Sequence, residues 1–357
     1  MERSGRVDTA LASCSGDQWF DSRVLPVHPA VNGYRYYLRL QHGEVKAVES
    51  STGYAASLRI EGLVYRGGTG FIGTALCNSL RHRGYDVLAV SRKPGPYRIT
   101  WSDFSNKGLP DSTTAVVSLA GQNVLDPVRR WTEGFKQNVW ASRETRRLPA
   151  LFMLKLTKPV HLLGYYPPSQ DEVFTEDGPG GDFDFLSRLC SDWESAADLP
   201  SDLGVRTVKI RTGVVLGRQG GMVQQLILPF YMGFGGPVGS GNQSMPWIHI
   251  QDIVGLFIHA IEKENVIGVV NGVAPQILTN REFATAFGKA LRRPSFVPLP
   301  TFAVNLLFNE ERGKIMTEGQ KVTPQKALET GYSFKYPNIT SAAKEFSKLI
   351  YADEQYI

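Results

Sequence analysis

The stretch Leu63-Val64-Tyr65-Arg66-Gly67-Gly68-Thr69-Gly70-Phe71-Ile72-Gly73 gives the strongest indication of the fold. Its apolar start predicts a short strand, and its glycines follow the spacing G-x-x-G-x-x-G. Residues 72–80 place their apolar side chains on one face of a helix that ends near Gly84. Residues 85–90 predict a second buried strand. The order strand, glycine turn, helix and strand begins a doubly wound parallel sheet.

The glycine turn predicts a phosphate-binding site. Glycine permits a tight turn and the close approach of a pyrophosphate, and the N–H groups at the start of the helix then bind the phosphates. Glycine clusters also form ordinary turns, so the prediction depends on the strand and the helix that flank the cluster. The predicted contacts in this turn are Gly67, Thr69, Gly70, Phe71, Ile72 and Gly73.

The residues that follow the second strand, Ser91, Arg92 and Lys93, indicate the choice of cofactor. An NAD site usually has an acidic residue here for the ribose hydroxyls, whereas a basic residue accommodates the 2′-phosphate of NADP. The alternative is a solvated basic turn. Given the glycine turn upstream, these basic residues favour NADP over NAD.

Composition limits the classes of protein that this sequence can form. The chain has 357 residues, of which 42% are hydrophobic and 20% charged, so it can bury a sizeable core. The net charge of +5 is spread along the chain without a basic run, which argues against a nucleic-acid partner. Small acidic molecules are the expected partners, and the oligomeric state is left open.

The sequence also gives expectations about metals, membranes and compartment. No run of about 18 apolar residues predicts a membrane span. Cys14, Cys77 and Cys190 lie far apart, so neither a disulfide framework nor a zinc site is expected. A soluble intracellular protein is expected, in the cytoplasm rather than in an organelle.

Later segments continue the pattern of strands and helices. The sequence predicts a helix over 135–156, interrupted at Pro149, and a shortened strand over 160–163. Residues 205–216 predict one buried strand. Residues 233–241 predict either a glycine-rich hairpin that caps a substrate cleft or, equally, a plain turn. Helices are expected near 183–197 and 222–231. Two further helices, near 252–262 and 280–291, are expected to start at Asp252 and Asn280 as capping residues.

The predicted fold class is α/β, a Rossmann-type doubly wound parallel sheet with a small C-terminal lobe. Residues 1–60 are expected to form an N-terminal extension, which lacks sustained periodicity and is left unassigned. Residues 61–216 are expected to form the NADP-binding Rossmann domain, whose core strands continue to about 275. Residues 217–357 are expected to form mainly the C-terminal lobe.

Several motifs carry a resemblance to a known family. They are Gly67 to Gly73, Ser91-Arg92-Lys93-Pro94-Gly95-Pro96, Arg129-Arg130-Trp131, Gly180-Gly181-Asp182-Phe183-Asp184-Phe185, Arg211-Thr212-Gly213-Val214-Val215-Leu216-Gly217, Pro246-Trp247-Ile248-His249-Ile250 and Gly319-Gln320-Lys321-Val322. Together they resemble an extended short-chain dehydrogenase/reductase of the epimerase-like kind, over roughly residues 63–348.

The resemblance implies an NADP-binding Rossmann domain with a small C-terminal substrate lobe, formed mainly by residues 217–357. It also implies positions that would contact NADP. Ser91 and Arg92 would hold the 2′-phosphate of the adenosine, and Leu119 and Ala120 would line the ribose side. Val215 would lie at the nicotinamide end. The remaining implied contacts are Asn138, which stands where the family has an acidic residue, and Arg143.

The catalytic dyad usual in this family is absent, and the catalytic residues stay unknown. Family members carry Y-x-x-x-K, in which the tyrosine exchanges a proton with the substrate oxygen and the lysine lowers its pKa. Leu186 and Cys190 occupy these two positions, and the hydroxyl residue usual after the fifth strand has no counterpart. Cys190 is predicted to be a small core residue.

Other residues are candidates to replace the dyad. Tyr165 and Tyr166 are predicted to be packing residues rather than alternative acids, and His249 a hydrogen-bonded core residue. Glu176 and Asp177 are predicted to lie in a solvated turn. Two functions therefore compete: an NADP-dependent oxidoreductase with an unknown substrate, or an NADP(H)-binding or sensor protein without turnover.

Overall fold

The computed structural model describes residues 62–66, 70–91, 93–110, 112–119, 131–144, 155–161, 164–195, 198, 204–308 and 310–348, with four short strands before them. The chain separates into two compact units, Met1–Ile60 and Glu61–Ile357. The first unit contains a four-stranded antiparallel sheet in the order β1-β2-β3-β4. These strands are β1 (Val24–Pro26), β2 (Tyr37–Gln41), β3 (Glu44–Val48) and β4 (Ser57–Leu58).

The second unit is built around a seven-stranded sheet whose described pairs are all parallel. Its strands are β5 (Gly62–Arg66), β6 (Asp86–Ser91), β7 (Arg98–Thr100), β8 (Thr113–Ser118), β9 (Lys155–His161), β11 (Arg206–Thr212) and β14 (Gly268–Gly272). The order across the sheet is β7-β6-β5-β8-β9-β11-β14. The chain runs outward from β5 to β7 and then returns to β8 on the other side. The order therefore reverses between β5 and β8, as in a Rossmann fold.

Helices connect these strands and extend the chain beyond the sheet. They are α1 (Phe71–His82), α2 (Trp101–Lys107), α3 (Glu133–Glu144), α4 (Phe185–Ser195), α5 (Gly221–Tyr231), α6 (Ile250–Glu262), α7 (Asn280–Leu291), α8 (Thr301–Phe308), α9 (Glu310–Thr317), α10 (Gln325–Glu329) and α11 (Ile339–Phe346). No helix among the described residues is long and apolar enough to cross a membrane.

Burial on both faces explains the continuous apolar runs of the sheet strands. Val117 of β8 packs in one buried cluster with Leu80 of α1 and Phe257 of α6. Its neighbour Val116 packs in a separate cluster with Phe104 of α2. Successive residues of a strand point to opposite faces, so an inner strand covered on both sides has no polar alternation.

A second large core lies in the C-terminal half. Phe283 and Phe287 of α7 pack with Phe346 of α11 and with Trp247 of β13 (Trp247–His249). Strand β13 pairs in parallel with β12 (Val214–Gly217). Two short strands, β10 (Val173–Phe174) and β15 (Lys321–Val322), also pair in parallel, and this pairing links the middle of the chain to its C-terminal part.

The predicted helix over 135–156 is confirmed over 135–144, within α3, and wrong at 155–156, which belong to β9. The strand predicted over 160–163 is confirmed at 160–161, but it is not shortened, because β9 begins five residues earlier, at Lys155. Residues 145–154 and 162–163 lie outside the described residues. All seven residues of β9 pair with β11, from Lys155 opposite Arg206 to His161 opposite Thr212. Pairing with a distant strand outweighs local helix propensity in this segment.

The predicted strand over 205–216 is two strands, because Gly213 interrupts it. The Gly213 N–H donates to the carbonyl of Gly272, whereas the next N–H, of Val214, donates to the carbonyl of Pro246. A Cβ at Gly213 would lie 2.8 Å from the Pro246 oxygen. Glycine therefore lets the chain pass from the main sheet to the β12–β13 pair.

The predicted hairpin over 233–241 is also wrong. This segment contains no strand and instead lies beside residues 297–299. Val297 donates to the carbonyl of Gly235, and Leu299 donates to the carbonyl of Pro237. Proline has no N–H and cannot continue a ladder, so the glycines here serve turns rather than paired strands.

The two predicted capping residues are wrong by one to three positions. His249 caps α6, its ring accepting from the N–H of Gln251, and Thr279 caps α7 in a capping box with Glu282. Asp252 is instead buried, where its carboxylate accepts from the N–H groups of Lys335 and Tyr336. In both helices the capping side chain, His249 or Thr279, therefore lies before the acidic residue of the first turn, Asp252 or Glu282.

Two glycine substitutions are expected to have opposite effects on stability. A Cβ at Gly319 would lie 2.0 Å from the carbonyl oxygen of Ser244, so Gly319→Ala should destabilise the protein by about 1–3 kcal/mol. Gly134 lies in α3, and a Cβ there would have nothing within 4 Å, so Gly134→Ala should stabilise by about 0.5–1 kcal/mol. Urea unfolding of both variants measures the difference. Equal midpoints would contradict the close approach at Gly319.

Candidate functional site

Strands β5 and β8 pair up to their carboxyl ends, with Arg66 opposite Ser118, at the point where the strand order reverses, and α1 is the next described element after β5. Ligands of doubly wound sheets bind in the crevice at this point. The N-cap of α1 is Gly70, which is exposed and has extended backbone. No side chain of the described residues caps this helix, and its first turn has no acidic residue. The start of α1 therefore suits an anion.

Phe71 holds the start of α1 against a second glycine turn, which joins β12 to α5. A Cβ at Gly217 would lie 2.9 Å from the Phe71 ring, and one at Gly220 would lie 2.7 Å from it. Only glycine allows this approach without a shift of the ring. The turn over 217–221 thus fixes the position of the predicted phosphate-binding helix.

The structure brings together three of the predicted contacts from distant parts of the chain. Ile72, Leu119 and Val215 are all half-buried and pack against one core cluster. They belong to α1, to the residue after β8 and to β12, respectively. Gly73 is buried within α1 in the same region. These residues surround the carboxyl edge of the sheet where the order reverses.

Ser91 lies at the same edge, because β6 pairs in register with β5 and ends there. Its hydroxyl donates to the carbonyl of Lys93, whose side chain is exposed. Asn138 is exposed on α3, and Arg143 lies in the same helix with its side chain outside the described residues. The other predicted contacts that fall outside the described residues are Gly67, Thr69, Arg92 and Ala120.

The two positions of the missing dyad are core positions. Leu186 is 6% exposed and packs with Trp131 and Phe135, and Cys190 is 1% exposed and packs with Trp193. The prediction that Cys190 is a small core residue is confirmed. Helix α4 therefore has neither a hydroxyl nor an ammonium group at these two positions, and apolar packing occupies both.

Tyr166 and His249 are confirmed as buried, hydrogen-bonded residues. The Tyr166 hydroxyl lies 2.8 Å from the carbonyl oxygen of Thr175 and 3.0 Å from Oδ1 of Asn271, and burial raises the pKa of this tyrosine. The His249 ring lies 2.8 Å from Oε2 of Glu345 and is fully buried. Neither side chain is placed to exchange a proton with a ligand in the crevice.

A buried ion pair, absent from the sequence predictions, connects β11 to α4. Arg211 is 3% exposed, and its Nη2 lies 3.0 Å from Oε1 of Glu194, which is 7% exposed. Nη1 of Arg211 donates to the Tyr166 hydroxyl at 2.6 Å and to the Glu176 carbonyl at 2.9 Å. The guanidinium also lies 3.5 Å from the centre of the Tyr165 ring. The sequence could have indicated this ion pair through Arg211, a charged residue in a segment predicted to be a buried strand.

The predicted solvated turn at Glu176 and Asp177 is wrong for the first residue. Glu176 is buried, and its Oε1 accepts from the N–H groups of Asn271 at 2.9 Å and Lys326 at 3.2 Å. Burial raises the pKa of Glu176 above its ordinary value, although these two hydrogen bonds oppose the shift. Asp177 is exposed, as expected for a turn.

A small cavity that opens to solvent lies beside Leu186 and Gly164, beyond the carboxyl end of β9, and its open volume is about 330 Å³ including the mouth. Lys314 and Ile315 of α9 form part of its opposite wall. Gln320 also lines it and donates through Nε2 to the carbonyl of Tyr166 at 3.1 Å. The Oε1 atom of Gln320 is buried and has no hydrogen-bond partner among the described residues. The cavity is a candidate substrate cleft.

The described residues contain no group of three or more histidine, cysteine or acidic side chains that could hold a metal ion. The cleft offers an amide, an ammonium group, the carboxylates of Asp184 and Glu318, and apolar walls. The parallel sheet whose strand order reverses between β5 and β8, the uncapped start of α1 and the nearby cleft define a Rossmann-type fold of the short-chain dehydrogenase/reductase and epimerase kind.

Comparisons with known proteins agree with this class. Residues 65–125 match the NAD dependent epimerase/dehydratase family, and residues 299–346 match a domain of unknown function, DUF1731. The chain is 51% identical over 286 residues to the human epimerase family protein SDR39U1, covering 78% of this chain and 97% of that protein. It therefore belongs to the epimerase family of proteins related to SDR39U1.

Two further relatives extend the comparison. The Arabidopsis thaliana protein described as an SDR39U1 homolog, chloroplastic, is 35% identical over 298 residues, covering 78% of this chain and 84% of that protein. The crystal structure of human SDR39U1 (isoform2) with NADPH has a TM-score of 0.78 and 48% identity to this chain. That match covers 81% of this chain and 100% of the human chain.

Removing Glu194 is expected to destabilise the protein strongly. Glu194→Ala leaves the Arg211 guanidinium buried without its carboxylate partner, which should cost about 3–5 kcal/mol of unfolding free energy. Glu262→Ala is the matched control, because Glu262 pairs with the exposed Arg83 at 3.1 Å. That change should cost less than about 1 kcal/mol. Similar losses in both variants, measured by urea unfolding, would be inconsistent with a buried pair at Arg211.

Glu176→Gln is expected to change how stability depends on pH. Because burial raises the folded-state pKa of Glu176, this group favours folding most below its ordinary pKa of 4.5. That contribution is lost as the pH rises through the folded-state pKa. Glutamine keeps an oxygen acceptor for both N–H groups but carries no charge, so the variant should gain stability relative to the unmodified protein as the pH rises above 4.5.

Asp177→Asn is the control for this experiment, since Asp177 is the exposed neighbour of Glu176. Unfolding free energies from pH 4 to about pH 8 should show the control following the unmodified protein. A Glu176→Gln curve that stays parallel to both would show that burial does not shift this group.

Proposed function

We propose that this protein binds NADP(H) and acts as an oxidoreductase on a small carbonyl or hydroxyl compound. The observation that carries the proposal is the start of α1, uncapped by any described side chain and placed at the reversal point of the parallel sheet. The human relative crystallised with NADPH supports the same choice of cofactor. The expected partner is a small molecule rather than a nucleic acid or a membrane.

The residues present fit a dinucleotide. The N–H groups at the start of α1 would bind the pyrophosphate, and the exposed Gly70 leaves room for it to approach. Ser91 and Arg92, at the end of β6, would hold the 2′-phosphate. Leu119 and Val215 would offer apolar contacts along the same edge. When bound, the cofactor supplies or accepts a hydride at C4 of its nicotinamide ring.

The substrate would occupy the cavity beside Leu186. There Lys314 could contact a polar substituent, and the buried Oε1 of Gln320 could accept a hydrogen bond after a small movement of the wall. Leu186 can exclude water but cannot exchange a proton. Proton transfer would therefore involve solvent or the substrate itself rather than a tyrosine of α4.

A second function is favoured by a specific observation: Leu186 and Cys190 are both built into the core. General acid–base help is worth about 10²- to 10⁴-fold in rate, and α4 cannot supply it at these positions. The second candidate is a protein that binds or senses NADP(H) without turnover. Both candidates require the same nucleotide site and differ only in chemistry.

The protein is expected to prefer NADP over NAD by about tenfold to a hundredfold. A guanidinium can offer a planar pair of donors to a 2′-phosphate, and such a charge-assisted contact contributes roughly 1.5–3 kcal/mol. Arg92→Asp should erase or reverse the preference, because it replaces attraction with repulsion. Calorimetric titration of both cofactors into the unmodified protein and the variant measures the effect.

Lys289→Asp on α7 is the control, since it makes the same charge change at an exposed position far along the chain. It should keep the preference, and equal affinities for NAD and NADP in the unmodified protein would overturn the cofactor assignment. NADPH oxidation with a panel of aldehydes and ketones then separates the two functions. Turnover above a protein-free control, lost in Arg92→Asp, favours the oxidoreductase; tight binding without turnover favours the sensor.

A further inference from the structure

A second cavity lies apart from the crevice and the cleft, between α1 and the turn that precedes β7. Its open volume is about 570 Å³ including the mouth. Thr74, Asn78 and Arg81 line it from one face of α1, at the spacing of successive helical turns. Arg98 lines it from β7. The described lining residues include two guanidinium groups and no carboxylate, so the cavity is cationic.

Arg81 is held in a fixed orientation. Its Nη2 donates to the carbonyl of Val87 at 3.0 Å, and its guanidinium lies 5.1 Å from the centre of the Tyr97 ring. That hydrogen bond uses one nitrogen of the planar group. Its Nε and Nη1 have no bond to the described residues and can donate to a ligand. A pre-oriented guanidinium loses little side-chain entropy when it binds an anion.

Arg98 is placed on the other side of the cavity by a tight turn. Its N–H donates to the carbonyl of Gly95 at 3.0 Å, and Tyr97 within this turn has a left-handed backbone with φ of 54°. The turn places the Tyr97 ring against Arg81 and brings Arg98 to the cavity wall. The conformation of this turn therefore determines the positions of both the Arg81 and the Arg98 guanidinium groups.

The charges of both Arg81 and Arg98 affect Cys77, which also lines the cavity. Its thiol lines the cavity and is 3% exposed. Burial raises the pKa of Cys77, whereas the charges of Arg81 and Arg98 act to lower it. Both guanidinium groups are therefore close enough to influence one atom at the cavity wall.

We propose that this cavity is an anion site that binds a phosphate monoester, with Arg81 and Arg98 as the cationic donors and Asn78 as a neutral donor. Two guanidinium groups converging on a space without carboxylates match the charge and the planar donor geometry that phosphate prefers. The phosphate would belong to a phosphorylated metabolite separate from the cofactor, since the cavity lies apart from the crevice and its lining includes neither Ser91 nor Arg92, to which the 2′-phosphate of NADP(H) is assigned.

Inorganic phosphate titrated into the cofactor-free protein tests the site, with ³¹P NMR as the readout and chloride held constant. Arg98→Gln should weaken phosphate binding about tenfold or more, because it removes one of two charge-assisted contacts. Arg83→Gln, two residues beyond Arg81, removes the same charge outside the cavity lining and should leave binding unchanged. Equal affinities for the two variants, or no binding in the unmodified protein, would overturn the proposal.

A second variant covers the case in which Arg98→Gln is unstable. Arg98→Lys keeps the charge and should retain phosphate binding within about threefold, whereas loss in both variants at an unchanged melting temperature would show a requirement for the planar group. Displacement of phosphate by NADP but not by NAD would place the 2′-phosphate of the cofactor in this cavity and overturn a separate site. Phosphate that stays bound beside NADP identifies a separate metabolite. Both outcomes are measured as binding and require no turnover. Failure of the phosphate site can therefore be distinguished from failure of the proposed oxidoreductase activity.

Discussion

The guanidinium of Arg211 is a full positive charge buried at the carboxyl end of β11, and it fixes the parts of the chain around the cleft. A buried charge is costly unless it is paired and hydrogen-bonded. Glu194 of α4 supplies the carboxylate, and Tyr166 and the Glu176 carbonyl supply the remaining acceptors. Helix α4 and the segments at Tyr166 and Glu176 must therefore keep fixed positions relative to β11. The cavity beside Leu186 has its shape because these segments are fixed.

The two sides of the candidate site are stabilised by different forces. Around the start of α1, apolar packing dominates, and Phe71 lies against glycines that leave no room for a side chain. Around the cleft, a network of buried polar groups dominates, in which Arg211, Asn271 and Gln320 each form a hydrogen bond with Tyr166. Such a network favours one arrangement, because other arrangements leave more of its buried groups unpaired. The nucleotide side is thus shaped by close packing, and the cleft by hydrogen bonding.

The C-terminal segment that matches DUF1731 takes part in this network. It spans residues 299–346 and contains α8, α9, β15, α10 and α11. Lys314 and Gln320, which line the cleft, belong to it, and β15 pairs with β10 in the middle of the chain. Its apolar residues Ile339 and Phe346 complete the second core. The segment therefore forms one wall of the cleft and is held by pairing and packing with the rest of the unit.

Local sequence patterns were enough to predict the Rossmann-type beginning of the fold and the absence of the usual dyad. A strand, a glycine turn and an amphipathic helix each depend on residues within about a dozen positions. The identity of Leu186 and Cys190 can likewise be read directly. Tertiary contacts were needed to establish that 155–161 is a strand, that 233–241 is not a hairpin, and that Glu176 is buried. Glu176 meets Lys326, 150 residues away, and Tyr166 meets Asn271, 105 residues away. Such pairings depend on where the whole sheet brings distant segments, and no local pattern encodes them.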